Sequence, residues 1–191
     1  MPAGIAGIQE YKNTKIPVTF FPAGLSSTYK TSQITKKQQK MTPRIALQNV
    51  WKGLMDGMMA TERHLRKSTI DQKLLVLMQH RVSQINGCGY CLDMHHKDAI
   101  HLGETELRLH TLPAWKEVPY FTDKERAVLA YAEALTLEVD ADDTVFEGLK
   151  PFFSDTEIAE LTVAVAQINS WNRINKAFRT IPGNYKVGQF D

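Results

Sequence analysis

Residues 86–95 read Asn86-Gly87-Cys88-Gly89-Tyr90-Cys91-Leu92-Asp93-Met94-His95, and they separate two helical patterns. Upstream, apolar residues recur at helical spacing and predict one buried helix face, made of Ile70, Leu74, Leu77, Met78, Val82 and Ile85. Gly87 supplies the positive φ that is common just past a helix C-terminus. Cys88 therefore stands at the start of the next helix, which we expect to end at Gly103.

Helical spacing continues on both sides of this stretch. From Pro43 onward we predict a first helix with an apolar stripe formed by Leu47, Val50, Trp51, Leu54 and Met58. Ser68 or Thr69 is expected to cap the helix that precedes Cys88. Short helices are expected near 105–111 and 142–149.

Two longer helices have start signals of their own. Thr122 and Glu125 have capping-box spacing, and so do Ser154 and Glu157. The last helix is expected to run to Pro182-Gly183, with an inward face of Ile158, Leu161, Val165, Ile168, Trp171, Ile174 and Phe178. No strand-like alternation competes after residue 40. The sequence therefore predicts an all-α fold, a compact antiparallel helical bundle.

Residues 1–40 differ from the rest of the chain. They lack periodicity, and they hold six lysines against one glutamate, a charge of +5 in a chain whose net charge is +2. We expect an irregular or leader-derived extension there, followed by one helical domain over 41–191. The remaining 151 residues carry −3, which argues against a nucleic-acid partner.

The sequence shows neither a membrane-spanning run nor a secretion signal. The apolar run at Val18 is broken by Pro22, far short of the roughly 18 residues that a membrane helix needs. The default expectation is a cytoplasmic protein without a membrane partner. In a reducing compartment, two cysteines three residues apart indicate redox chemistry or metal binding.

Cys88, Cys91 and His95 form the most specific pattern in the chain. Because residues three and four apart are helical neighbours, all three share one helix face. The helix N-terminus lowers the pKa of a thiol there, and His95 is placed to take or give a proton. Gly87 and Gly89 leave room for a partner to reach Cys88. The pattern suits a cycle from dithiol to sulfenic acid to disulfide.

Two other interpretations of the pair stay open at this point. Both cysteines could be buried core residues. Cys88, Cys91 and His95 could instead supply three ligands to zinc, which prefers four in structural sites. A c-type haem is excluded because Leu92, rather than histidine, follows Cys91.

Several blocks together resemble the alkylhydroperoxidase D family of the carboxymuconolactone decarboxylase-like superfamily. They cover much of 42–180 and lie at 81–95, 98–99, 103–106, 112–115, 121–127 and 168–173. The resemblance implies an all-helical homo-oligomer, a trimer or hexamer, that reduces hydroperoxides. It implies Cys91 as the attacking thiol, Cys88 as the resolving thiol and His95 in the proton relay. An external dithiol would supply the electrons, without a metal or organic cofactor.

The chain departs from the family at one position in particular. The family often has a glutamate of the proton relay twelve residues before the first cysteine, where this chain has Val76. His80 lies one turn further on and offers a replacement, although a lone histidine more often packs or faces solvent. We expect the remaining histidines at the surface: His64, His96, His101 and His110.

Two alternative functions stay open beside the peroxidase. One is a redox-sensing or disulfide-exchange protein with little peroxidase activity, which Val76 favours. The other is a cofactor-free decarboxylase-like lyase that uses His95 as a base, which retention of both cysteines disfavours.

Overall fold

The computed structural model describes residues 41–46, 49–50 and 53–190, whose regular secondary structure is helical without any strand. The helices are α1 (Asp56–Leu65), α2 (Gln72–Asn86), α3 (Gly89–His101), α4 (Glu106–Thr111), α5 (Asp123–Leu137), α6 (Asp143–Glu147) and α7 (Asp155–Phe178). A 3-10 turn, Leu112–Ala114, follows α4. The predicted all-α class is confirmed. The predicted extension at 1–40 lies outside the described residues.

Helix α2 is central because it packs against α3, α5 and α7. One apolar cluster joins α2 to α5 and α7, and a second joins α2 through Leu77 to Ala99 of α3 and Trp115. Arg81 of α2 also donates to the carboxylate of Glu133 on α5 at 2.8 Å. These contacts hold the C-terminal end of α2, and therefore the turn before α3, in a fixed place.

Helix starts follow the predicted local chemistry in most cases. Both capping boxes are present, with Thr122 and Ser154 each accepting from the backbone of the glutamate three residues on. At α2 the prediction was wrong, because Asp71 is the cap and accepts from the backbone N–H of Lys73. The helix starts later because Asp71 offers a carboxylate, which caps as well as serine does.

The two ends of the helical region also differ from the prediction. Before Asp56 the described residues contain no α-helix, because Gly53 adopts a φ of +94° and Leu54 is exposed. Leu47 and Trp51 of the predicted first stripe lie outside the described residues. Helix α7 ends at Phe178 rather than at Pro182, since Arg179 takes the left-handed conformation with a φ of 55°. No helix in the described part of the chain is long and apolar enough to cross a membrane.

Candidate active site

The turn that places the two cysteines is fixed from both sides. Gly87 has a φ of 62°, and the backbone N–H of Cys88 donates to the carbonyl of Ser83 at 3.1 Å. The amide of Asn86 donates to the buried Asn172 of α7 at 2.9 Å. Asn172 in turn donates to the Ser83 hydroxyl at 3.1 Å. This polar network ties the start of α3 to the middle of α7.

Cys88 and Cys91 are joined by a disulfide, with their Cα atoms 5.4 Å apart. Cys88 is also the N-cap of α3, because its sulfur accepts from the backbone N–H of Cys91 at 3.4 Å. Cys91 lies in the first helical turn, where unpaired N–H groups favour negative charge. The local geometry therefore combines a dithiol/disulfide pair with a site that stabilises a thiolate.

Both sulfur-bearing residues are buried, each with about 1% of its surface exposed. The expectation that the flanking glycines leave Cys88 accessible was therefore wrong, although a Cβ at Gly89 would meet nothing within 4 Å. Access to the pair runs instead through a cavity of about 290 Å³, whose lining includes Cys91 but not Cys88. The cysteine that this cavity presents is the second of the two.

The cavity wall is mostly apolar. Its thioether and aromatic surface comes from Met55, Met59, Met94, Tyr90, Trp171, Tyr185 and Phe190. Glu62 lies in the same wall and accepts from the Trp171 indole at 2.7 Å. Val76, at the position of the family glutamate, also lines it. An organic molecule that enters therefore meets hydrocarbon and sulfur on its way to Cys91.

One side of the cavity is formed by the chain after α7. The backbone N–H of Gly183 donates to Asp93 at 3.0 Å, and the Tyr185 hydroxyl donates to Asp98 at 2.8 Å. Burial, together with the Asp98 hydrogen bond, raises the pKa of Tyr185. The ring of Tyr185 stacks on that of Phe190 at 5.9 Å. This segment is thereby held against α3 beside the site.

His95 lies in the cavity wall one turn beyond Cys91. It is buried, and neither ring nitrogen has a hydrogen-bond partner in the described part of the chain. Burial, with a smaller effect from His80, lowers the pKa of His95 to about 3. In the disulfide form the imidazole is therefore neutral at pH 7.

Two further histidines lie next to His95. His80 of α2 is buried, and its ring centroid is 6.3 Å from that of His96 on α3. Burial, followed by the neighbouring His96, lowers the pKa of His80 to about 4. His96 was predicted at the surface, but its side chain is only 39% exposed and contacts Glu106 at 3.3 Å. The predictions of exposed His64, His101 and His110 are confirmed.

Sequence reasoning missed Asn175. This residue is buried on α7, and its amide donates to the Cys91 sulfur at 3.7 Å and to the Trp171 carbonyl at 3.0 Å. The predicted inward face of α7 instead contained Ile174 and Phe178, which are only half-buried. The sequence around Asn175 does not indicate that this polar residue is buried, because one of its hydrogen-bond partners is on α3 and the other is in the preceding turn of α7.

We predict that Asn175→Leu raises the pKa of the Cys91 thiol. The amide is a hydrogen-bond donor that favours the thiolate, and leucine has a similar volume but cannot donate. The expected rise is roughly one unit, with a loss of up to about tenfold in thiolate at neutral pH. Absorbance at 240 nm against pH, in a Cys88→Ser background, measures it. Ser170→Ala, at an exposed position on the same helix, is the matched control and should leave the titration unchanged.

Metal binding was one of the open interpretations of the pair. In residues 41–46, 49–50 and 53–190, no group of three or more histidine, cysteine, aspartate or glutamate side chains is arranged to hold a metal ion. The observed relation between Cys88 and Cys91 is a covalent bond. The described residues thus show a disulfide-bonded pair whose second cysteine lines a cavity.

The fold and the site together define a class of helical proteins with a Cys-x-x-Cys pair at the start of the helix that follows the central one. The model of the carboxymuconolactone decarboxylase family matches residues 46–134. The uncharacterized protein YdfG of Bacillus subtilis is 34% identical over 139 residues, which are 72% of this chain and 95% of that protein. The chain belongs to the alkylhydroperoxidase D-like, carboxymuconolactone decarboxylase family, as the sequence resemblance predicted.

Solved structures agree with this assignment. A protein of unknown function from Agrobacterium tumefaciens, described as a putative antioxidant defence protein AhpD, is similar at 36% identity and a TM-score of 0.71. The match covers 75% of this chain and 100% of that one. An uncharacterized peroxidase-related protein from a Silicibacter species shares the fold at 22% identity and a TM-score of 0.62, over 72% and 74% of the two chains.

Proposed function

We propose that the protein is a thiol-dependent peroxidase that reduces organic hydroperoxides through Cys91 and Cys88. The observation that carries this proposal is the position of the redox pair. Its second sulfur lies on an apolar cavity, at a helix N-terminus, beside a buried neutral imidazole. Family membership supports an enzymatic role of this kind, and the relative from Agrobacterium tumefaciens is itself described as a putative antioxidant defence protein.

The proposed cycle balances with the residues at hand. The Cys91 thiolate attacks one peroxide oxygen, the O–O bond breaks, and the alkoxide that leaves takes up a proton to become an alcohol. The Cys88 thiol then attacks the resulting sulfenic sulfur, so that the disulfide forms and water leaves. An external dithiol reduces the disulfide and closes the cycle. That reductant, the cytoplasmic location and the homo-oligomeric assembly stay predictions.

Cys91 is the better candidate for the attacking thiol on physical grounds. It lines the cavity, accepts the Asn175 amide and sits in the first turn of α3. Cys88 instead caps the helix and does not line the cavity. An N-capping thiol one turn away is well placed to resolve a sulfenic acid.

The test is a thiol titration of the fully reduced protein before and after one equivalent of peroxide. We expect cumene hydroperoxide to remove both thiols, and to do so roughly tenfold faster than hydrogen peroxide, because the apolar wall stabilises the cumyl group. Stopped-flow fluorescence at equal concentrations compares the two rates. If both thiols are still titratable after exposure to cumene hydroperoxide, the proposal is wrong.

A second candidate function is disulfide exchange with a protein partner. Val76 favours it, because the cavity wall has a hydrocarbon side chain where the family often has a relay glutamate. Under this alternative the Cys88–Cys91 disulfide is reduced and reformed by dithiols, while hydroperoxide is turned over negligibly. The titration above separates the two functions.

A further inference from the structure

The proposed cycle consumes one proton at the alkoxide, and the groups described so far do not supply it. When a Cys91 thiolate reduces a hydroperoxide, the alkoxide needs one proton from outside the dithiol pair. When the disulfide is later reduced, re-forming that thiolate returns one proton. His95 lines the cavity one helical turn beyond Cys91, but it is neutral and buried, so it has no stored proton to give. It can donate only if another group protonates its second nitrogen.

Two such groups, His80 and His96, lie near His95. His80 is buried on α2, near enough to His95 to contribute to the lowered pKa of that residue, and its Nδ1 has no hydrogen-bond partner in the described part of the chain. His96 follows at a ring-centroid distance of 6.3 Å, a gap that a single water bridges readily. His96 is partly exposed and contacts Glu106, an exposed carboxylate on α4.

The order of burial gives the path a direction. His95 and His80 are both buried, whereas the His96 side chain is 39% exposed. An imidazole takes a proton on one nitrogen and gives one from the other, so neutral rings in sequence move a proton without any of them staying charged. His80 is not part of the cavity lining. Since His96 does not line the cavity either, a path from His95 through these two rings to solvent is separate from the substrate's route.

We propose that His80 and His96 form the proton path of this site, which exchanges protons between His95 and solvent while Cys91 changes between disulfide and thiolate. The path rests on the peroxidase function proposed above. Each peroxide reduced draws one proton inward along it, to the alkoxide. Each reduction of the disulfide sends one outward. His80 and His96 act through His95 and touch neither the substrate nor the sulfurs.

His96→Ala tests the outer end of the path. A single turnover with cumene hydroperoxide is followed by proton uptake from a weakly buffered solution that contains a pH-indicator dye. We expect proton uptake and disulfide formation to slow by roughly tenfold, and added imidazole to restore them by replacing the lost ring. His101→Ala, an exposed position on the same helix, is the control and should behave as the parent does. A deficit that imidazole cannot restore indicates a structural role and overturns the proposal.

His80→Leu and His80→Gln test the inner end. Leucine suits the buried position, and glutamine keeps hydrogen bonding but cannot change its protonation state. We expect both variants to slow proton uptake by tenfold or more, with no rescue by imidazole, since the position is buried. Circular dichroism checks that each variant is folded. Parental rates in both variants would overturn the proposal, and a loss in His80→Leu that His80→Gln restores would do the same.

A second assay separates failure of the path from failure of the peroxidase function. Reduction of the disulfide by dithiothreitol forms the Cys91 thiolate and releases one proton, and it needs no peroxide. If the parent protein does not react with peroxide, the peroxidase proposal fails. The proton path is still tested by the rate of proton release on reduction of the disulfide. We expect it to slow in His80→Leu and His96→Ala. Release at the parental rate in both variants overturns the path by itself.

Discussion

Replacing Cys91 with serine is expected to abolish peroxide reduction, by roughly 10³-fold or more, because a serine hydroxyl is not ionised at neutral pH and cannot attack the O–O bond. The side chain is similar in size and its place beside Asn175 is kept, so the fold should survive. The measurement is the rate of cumene hydroperoxide consumption with excess dithiothreitol as the electron donor. Far-ultraviolet circular dichroism confirms the helical content.

Cys88→Ser is the matched control for this experiment. Serine is a preferred N-cap, so the start of α3 should be kept or strengthened. Cys91 should still consume one equivalent of peroxide, and the reaction should then stop at the sulfenic acid for lack of a resolving thiol. Dimedone labelling followed by mass spectrometry detects that product. If Cys91→Ser keeps the first step and Cys88→Ser loses it, the two roles are reversed.

The features that the sequence could predict depend on residues close together in the chain. Gly87 ends α2 through its own backbone freedom, and Thr122 and Ser154 start α5 and α7 through contacts three residues long. The juxtaposition of Cys88 and Cys91 is equally local, since both lie in one helical turn. Such short-range interactions can be predicted from the sequence because they do not depend on how the helix packs in the folded protein.

The features that could not be predicted depend on partners far apart in the chain. Asn175 contacts Cys91 across a separation of 84 residues, so its role exists only once α7 has packed on α3. The same holds for His80 of α2, whose ring lies near that of His96 only because α2 packs against α3. Asn172 and Asn175 are both buried and donate to groups on other helices, Asn172 to the Ser83 hydroxyl and Asn175 to the Cys91 sulfur, whereas an apolar-periodicity pattern assigns such residues to the surface.

The burial of these histidines has a consequence for stability as well as for chemistry. Burial, with a smaller effect from a neighbouring histidine, lowers the pKa of His80 to about 4 and of His95 to about 3. In the unfolded chain both return to about 6.5. Below that pH the two histidines bind protons in the unfolded state but not in the folded state. The free energy of unfolding therefore falls as the pH falls. The loss continues until the pH reaches about 4 for His80 and about 3 for His95.

We therefore expect the oxidised protein to lose roughly 4 kcal/mol of unfolding free energy between pH 7 and pH 5 from these two residues together, which is large against the stability of most domains. Urea unfolding at a series of pH values measures it. His80→Leu should flatten the pH dependence by roughly half, because it removes one of the two groups. His101→Ala, which is exposed, should not alter the slope. A slope in His80→Leu equal to that of the parent would show that His80 titrates normally in the folded protein.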